Sequence, residues 1–411
     1  MFVPVPPAWI PLETQSAGHC RVLRLFFEPA CVDSVPTDHL SPMSLFRHCM
    51  VVLFFALGFL LVVCTVPRPV QAQVPDNPSL DRGGASPDTY RQKDVPRRPV
   101  ATYSIVARDS VTGQMGVAVQ SHWFSVGSVV PWARAGVGAV ATQSFVDPRY
   151  GPLGLELMSH GRTSEEALEA LVSTDDARAV RQVAMVDARG RVAVHTGANA
   201  VEAAGHQTGP GYSVQANLME SDDVWGAMAD AYESSEGDLA ARLVAALEAA
   251  QNEGGDIRGK QSAALVVVRA ESTGQPWNDR LFDLRVEDHP EPVEELKRLV
   301  RLQRAYQNLN EGDGHVTDGD IEAAMDSYRT AMGLVPDEAT NGEAPFWVGI
   351  TLATEGRVDD AIPFLHRAYA QDDRWAELVR RLPDAGLLPS ADLAETLQER
   401  MQEEKKPASD E

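Results

Sequence analysis

Residues 101–121 read ATYSIVARDSVTGQMGVAVQS. Two runs rich in β-branched and apolar residues, 101–109 and 114–121, flank the turn signal Ser110-Val111-Thr112-Gly113, which predicts a β-hairpin. Apolar residues fall on both faces of each strand, so the sheet they enter is predicted to be covered on both sides. Further along, VGAVATQSF (137–145) predicts another strand, and RQVAMVDARGRVAVHTG (181–197) a hairpin turning at Asp187-Ala-Arg-Gly190. A helix is predicted after Pro148, and a second opens at Thr163, where Thr163 and Glu166 can form a capping box. YSVQANLM (212–219), QSAALVVVRA (261–270) and LFDLRVED (281–288) predict three more strands. Between them one long helix is expected over 222–251, with Leu239, Leu243 and Leu247 on one stripe. Strand groups separated by helices predict an α+β fold of two sheets between helix layers, spanning 101–289.

Outside this region the chain changes character. Residues 50–66, MVVLFFALGFLLVVCTV, are apolar and uncharged, follow Arg47 and His48, and precede the small residues of Val70-Gln71-Ala72. That pattern predicts a secretory signal peptide cleaved after Ala72, with Met43 as a candidate start. An uncleaved anchor and a lipoprotein site at Cys64 are the alternatives. The expected location is periplasmic or secreted. All four cysteines precede residue 73, so the mature chain would have no disulfide, thiolate nucleophile or Cys-ligated metal. Residues 73–100, rich in Pro, Gly and charge, predict a disordered linker, and a frayed tail is expected over 398–411. Thirty-six basic residues against 59 acidic ones give a net charge of −23, which disfavours nucleic acid as a partner.

From 290 to 397 the pattern is helical and repeats. Gly319, Ala324, Tyr328 and Ala331 recur 37 residues later as Gly356, Ala361, Leu365 and Ala368, with Gly312 and Gly349 seven before each first glycine. The spacing resembles tetratricopeptide helical hairpins, in which small residues let paired helices approach. Two units rarely stand alone, so this segment is expected to lean on the preceding domain. It is a candidate binding surface for a protein partner. Its closing part, Arg381-Leu-Pro-Asp-Ala-Gly-Leu-Leu-Pro389, resembles C-terminal segments of some members of the bacterial family called domain of unknown function 1028, a resemblance that implies a peptidoglycan partner.

No phosphate loop, HExxH or Gly-x-Ser-x-Gly motif occurs, and no metal or cofactor is expected. The stretch 120–145, QSHWFSVGSVVPWARAGVGAVATQSF, sets Ser121, His122, Ser125, Ser128, Thr142 and Gln143 among Trp123, Phe124 and Trp132. Polar groups among aromatic bulk suit a small-molecule pocket; a packed loop between two strands is the plainer alternative.

Residues 102–143, with Ala216-Asn217-Leu218-Met219 and Trp277-Asn278-Asp279-Arg280-Leu281-Phe282, resemble the bacterial family called domain of unknown function 1028. The family is grouped with N-terminal nucleophile (Ntn) hydrolases, so the resemblance implies a four-layer α-β-β-α sandwich followed here by the tetratricopeptide-like helices. It also implies an amidohydrolase acting on a small amide or peptide, whose first mature residue attacks a carbonyl while its own α-amine takes the proton. By position, Thr102 is the candidate nucleophile, Ser121 a supporting hydroxyl and Asn217 an oxyanion donor. Thr102 is internal, so this chemistry requires a cut at Ala101-Thr102; Arg97-Arg98-Pro99-Val100 could attract a protease to it. No lysine lies near the second and third strands, and Arg108 or Arg134 are the cations that could replace it. The alternative function is a non-catalytic periplasmic adaptor that uses an Ntn-like scaffold. A homodimer is a further expectation.

Overall fold

A computed structural model describes residues 98–403. The expected signal peptide and the linker up to residue 97 lie outside the described residues.

Two antiparallel sheets form the first core. The larger contains β1 (Thr102–Arg108), β2 (Met115–Ser121), β7 (Gly205–Gly209), β8 (Tyr212–Asn217), β9 (Ser262–Val268) and β10 (Arg280–Val286), in the order β10-β9-β2-β1-β8-β7. The smaller runs β3-β4-β5-β6, formed by Pro131–Arg134, Gly138–Ser144, Arg181–Asp187 and Val192–Thr196. Strand alternation sorts the side chains. Val106, Val117, Val119, Ala139, Ala141, Ala184 and Val186 fill the space between the sheets. Tyr103, Ile105 and Ala118 face α3 (Val224–Ser234) and α4 (Leu239–Asn252) on the outside of the larger sheet. Val140, Val183 and Met185 face α1 (Tyr150–Ser159) and α2 (Ser164–Ser173) on the other side. Both sheets are thus covered on both faces, as the doubled apolar pattern predicted.

The local signals act as expected at several points. Thr163 Oγ1 accepts from Glu166 N at 3.1 Å and Glu166 Oε2 accepts from Thr163 N at 3.0 Å, completing the capping box. Asp187 Oδ1 accepts from the backbone of Arg189 and Arg191, and Gly190 takes φ 79°, closing the β5–β6 turn.

Three expectations are corrected. The helix expected over 222–251 is two helices, because Gly237 turns left-handed at φ 103° and Asp238 caps α4 by accepting from Ala241 N at 2.9 Å. Pro131–Arg134, within the stretch whose plainer reading is a loop, is the edge strand β3; Pro131 stands at its first position, where a missing donor is tolerated. Residues 398–403 are not frayed: α10 (Ala391–Glu403) continues the stripe of Ala394 and Leu397 to a fully buried Met401.

The helical region adds α5 (Pro292–Asp318), α6 (Ile321–Leu334), α7 (Glu343–Thr354), α8 (Val358–Gln371) and α9 (Arg374–Arg381) before α10. At 27 residues, α5 is about 40 Å long. Its Val293, Leu296 and Val300 join the core of the larger sheet, while its Leu309 joins that of the later helices. One helix therefore belongs to both cores, and the helical region leans on the sheets through it. The 37-residue repetition is realised in space. A Cβ on Gly312 would lie 2.4 Å from the Tyr328 ring, and one on Gly349 2.6 Å from Leu365, the residue 37 positions after Tyr328. Gly349→Ala should therefore destabilise the helical region by about 1–3 kcal/mol through overpacking, read as a lower unfolding midpoint in urea.

A buried charge cluster fixes the ends of β4 and β5. Arg181, 3% exposed, pairs with Asp175 at 2.8 Å and with Asp147 at 3.8 Å, and donates to Phe145 O. Burial works to raise both carboxyls, but hydrogen bonds to Arg149 at Asp147 and to Arg181 at Asp175 hold them below the ordinary carboxylate range. A depressed folded pKa contributes stability above the unfolded value of about 4, which is lost as pH falls through the folded one. The melting temperature should drop as pH is lowered below about 4, and Arg181→Met should cost about 1–3 kcal/mol at neutral pH, because Asp175 loses its cation while Asp147 keeps Arg149.

Candidate active site

The strand ends meet at one end of the sandwich. Thr102 opens β1 and sits opposite Ser121, the last residue of β2, and opposite Asn217, the last residue of β8. The antiparallel register therefore brings together the three residues assigned catalytic roles from the resemblance, and all three are fully buried. Cross-strand partners share a face, and this face looks toward the smaller sheet.

Thr102 Oγ1 lies 2.7 Å from Val100 O and 3.2 Å from Ser121 Oγ. Ser121 Oγ in turn donates to Ala101 O. Each hydroxyl carries one proton, so with Ser121 committed to Ala101 O, Thr102 donates to the nearer Val100 carbonyl. Arg258 Nη2 also donates to Ala101 O, at 3.0 Å, and Nη1 to Pro99 O at 3.3 Å. The carbonyl preceding Thr102 is thus held by a hydroxyl and a guanidinium. Arg258 is oriented by the fully buried carboxylate of Asp256, with Nη2 2.7 Å from Oδ2 and Nε 3.0 Å from Oδ1. His122 N also donates to Asp256 Oδ2, at 2.9 Å. Gly254, Gly255 and Gly259, all at positive φ, let the 254–259 loop turn back so that this pair reaches the start of β1.

The carbonyl of Thr102 itself is gripped from the other side. Gln143 Nε2 donates to it at 3.2 Å and Asn217 Nδ2 at 3.4 Å. These amides belong to a buried ladder between the sheets: Gln143 Nε2 and Asn217 Nδ2 both reach Gln182 Oε1, at 2.7 and 2.9 Å, and Ser104 Oγ donates to Gln143 Oε1 at 2.6 Å. Buried amides satisfied in this way hold a unique strand arrangement. Asn217 Oδ1 and Ser144 Oγ have no partner. Ser144, at φ 66°, Leu218, at φ 59°, and Ser125, at φ 57°, are left-handed without being glycine. Ser144 ends β4, Leu218 follows β8 and Ser125 lies four residues past β2, so backbone strain gathers at the Thr102 end, as it often does at functional sites.

The other expected residues scatter. His122 is exposed, on the loop that also carries the 64%-exposed Phe124. Ser128 Oγ donates to Ser125 O within a single 3-10 turn, and Thr142 Oγ1 braces the next loop by donating to Asp147 O at 3.1 Å. Neither faces Thr102; both serve local structure. Of the expected binding residues, Gln143 alone bonds to Thr102. The expected oxyanion donor Asn217 spends its N–H groups on Gln182 and on the carbonyl of Thr102, whereas Ser121 and Arg258 reach the carbonyl before it. Arg108 lies at the far end of β1 and Arg134 pairs with Glu156 at 3.3 Å on the surface, so neither supplies the local positive charge. Arg258 does. The sequence signal for it was the glycine-flanked Asp256-Ile257-Arg258, which lacks any pattern until the loop is folded. The bond between Ala101 and Thr102 is also out of reach of an external protease, since Val100, Ala101 and Thr102 are 0% exposed.

The family model described as a family of unknown function, DUF1028, matches residues 102–296. No curated protein matches the chain. Among solved structures, a crystal structure of a DUF1028 protein from Silicibacter pomeroyi is 30% identical to it. That match covers 49% of this chain and 88% of the other, with a TM-score of 0.44. By this identity over most of the relative's length, and by the matched family model, the chain belongs to the DUF1028 family.

Proposed function

We propose that the protein is an exported Ntn-type amidohydrolase, made as a latent precursor, with Thr102 as nucleophile. The observation that carries the reading is the double hydrogen bond from Ser121 and Arg258 to Ala101 O, beside the Thr102 hydroxyl. Donors on a carbonyl oxygen stabilise the oxyanion that forms when a nucleophile adds to its carbon. The buried bond would be cut from within. Thr102 Oγ1 adds to the Ala101 carbonyl carbon, the carbon–nitrogen bond breaks, and the hydroxyl proton ends on the departing nitrogen. The Ala101 acyl group is left as an ester on Oγ1. Water hydrolyses the ester, giving an Ala101 carboxyl, the restored hydroxyl and a free α-amine on Thr102.

That amine, with a pKa of about 8, is a base near neutrality, which a peptide nitrogen is not. With a substrate amide the hydroxyl adds to the carbonyl, the amine takes its proton and passes it to the leaving nitrogen, and water then releases the acyl group. The two sheets between outer helices are compatible with the Ntn-type sandwich, and the apolar run over 50–66 supports export. The reading is tested by following purified full-length chain by intact mass. Wild type should release everything up to Ala101, at a rate independent of protein concentration. A rate that rises with concentration would point to cutting between molecules instead.

One observation favours the adaptor reading, in which the sandwich is scaffold and the tetratricopeptide-like helices hold a protein or cell-wall partner. In the intact chain Thr102 is fully buried and lacks a free amine. A bond that never breaks would leave that reading.

A further inference from the structure

The segment just before Thr102 is held as a bound peptide is held. Val100 N donates to Ser144 O at 2.6 Å, and Ser144 N donates to Val100 O at 3.0 Å, an antiparallel pair beyond the end of β3. Pro99 O and Ala101 O are both read by Arg258. All four contacts are to main chain, so none depends on the identity of the residue held. Selection falls to size and polarity: Val100 is fully buried among the apolar residues between the sheets, and Ala101 is enclosed completely. Ser144 adds two marks of a site built for an occupant, its left-handed φ and a buried hydroxyl without a partner. Main-chain pairing for affinity with pockets for alternate side chains is how sheet edges recognise extended peptides.

We infer that the trough now filled by residues 99–101 is the acyl-side subsite, and that it takes the end of a peptide chain with a small residue at the reacting carbonyl and a compact apolar residue before it. The catalytic meaning of this subsite rests on the hydrolase reading; its peptide binding does not. The chain's own leader then blocks the trough until it is released.

The test uses full-length chain carrying Thr102→Ala, so that no cut intervenes. Val100→Asp is added to expel the leader, since a lone carboxylate is not held in an apolar core. Val100→Gly is a second variant that weakens the leader without a charge, should the first fail to fold. Binding of fluorescein-labelled Arg-Pro-Val-Ala, with a free carboxyl end, is read by anisotropy against Arg-Pro-Asp-Ala. The Val peptide should bind at least about tenfold more tightly than the Asp peptide, and more tightly than it binds the parent with Val100 in place. Arg258→Ala in the same background should weaken it by about tenfold or more, the loss expected for charge-assisted hydrogen bonds. Equal affinity for the two peptides, or indifference to Arg258→Ala, overturns the subsite. A wild-type chain that never cuts, with variants that bind as described, overturns the hydrolase reading and leaves the subsite standing.

Discussion

Thr102→Ala should leave the Ala101-Thr102 bond intact indefinitely and abolish turnover of any amide the wild type hydrolyses, a loss of at least about four orders of magnitude. The substitution removes the proposed attacking atom and little else. The Thr102 side chain makes one buried hydrogen bond to Val100 O at 2.7 Å, so its loss should cost stability only about 1 kcal/mol. A normal thermal melt together with an uncut chain is therefore the expected pair of results. Thr102→Ser keeps a hydroxyl at the same place and should still cut. An uncut Thr102→Ala chain that has also lost its fold would speak only to packing, which is why the Ser variant belongs beside it.

Arg258→Met should slow the cut by about a hundred- to a thousandfold, the usual effect of removing one donor from a developing oxyanion. The arginine is 28% exposed, so the methionine stem can keep its packing, but the buried Asp256 carboxylate loses its cation. The rate is therefore read beside a thermal melt and beside Arg258→Met with Asp256→Asn, which removes the stranded charge. Arg258→Lys restores the charge but cannot reach Pro99 O and Ala101 O while forking onto Asp256, and should recover only part of the rate. Ser121→Ala removes the other donor to Ala101 O and should fall short of the Arg258 effect, because its hydroxyl is neutral. An Arg258→Met chain that cuts at the wild-type rate would remove the guanidinium from the mechanism.

How far these residues could be read in advance follows from how local each signal is. β1 and β2 declare themselves through β-branched runs and a four-residue turn, and the antiparallel hairpin then forces Thr102 opposite Ser121. Asn217 ends β8, a strand just as legible, and arrives beside Thr102 by sheet order. The capping box at Thr163 and the glycine contacts of Gly312 and Gly349 are likewise local or periodic. Gln182 and Gln215 are another matter. A polar residue at alternate strand positions usually faces solvent, and only the second sheet buries these amides, Gln182 accepting from Gln143 and Gln215 donating to Ser104. Arg258 was hidden for a related reason: it sits in a glycine-rich loop more than 150 residues from Ala101 along the chain, and no periodicity links the two. β3 and β7 were missed because Pro131 and the glycines of Gly205–Gly209 mask short edge strands as loops. The break before α4 had a readable signal in Gly237-Asp238, outweighed by the leucine stripe on its far side.

On the proposed reading, the amide before Thr102 is consumed to make the working amine. Amino-terminal sequencing and intact mass of the full-length wild-type protein after purification test it most directly. The expected chain begins Thr-Tyr-Ser-Ile, at Thr102, with a released fragment ending in Ala101. A chain that still runs through Val100-Ala101-Thr102 after prolonged incubation would contradict it.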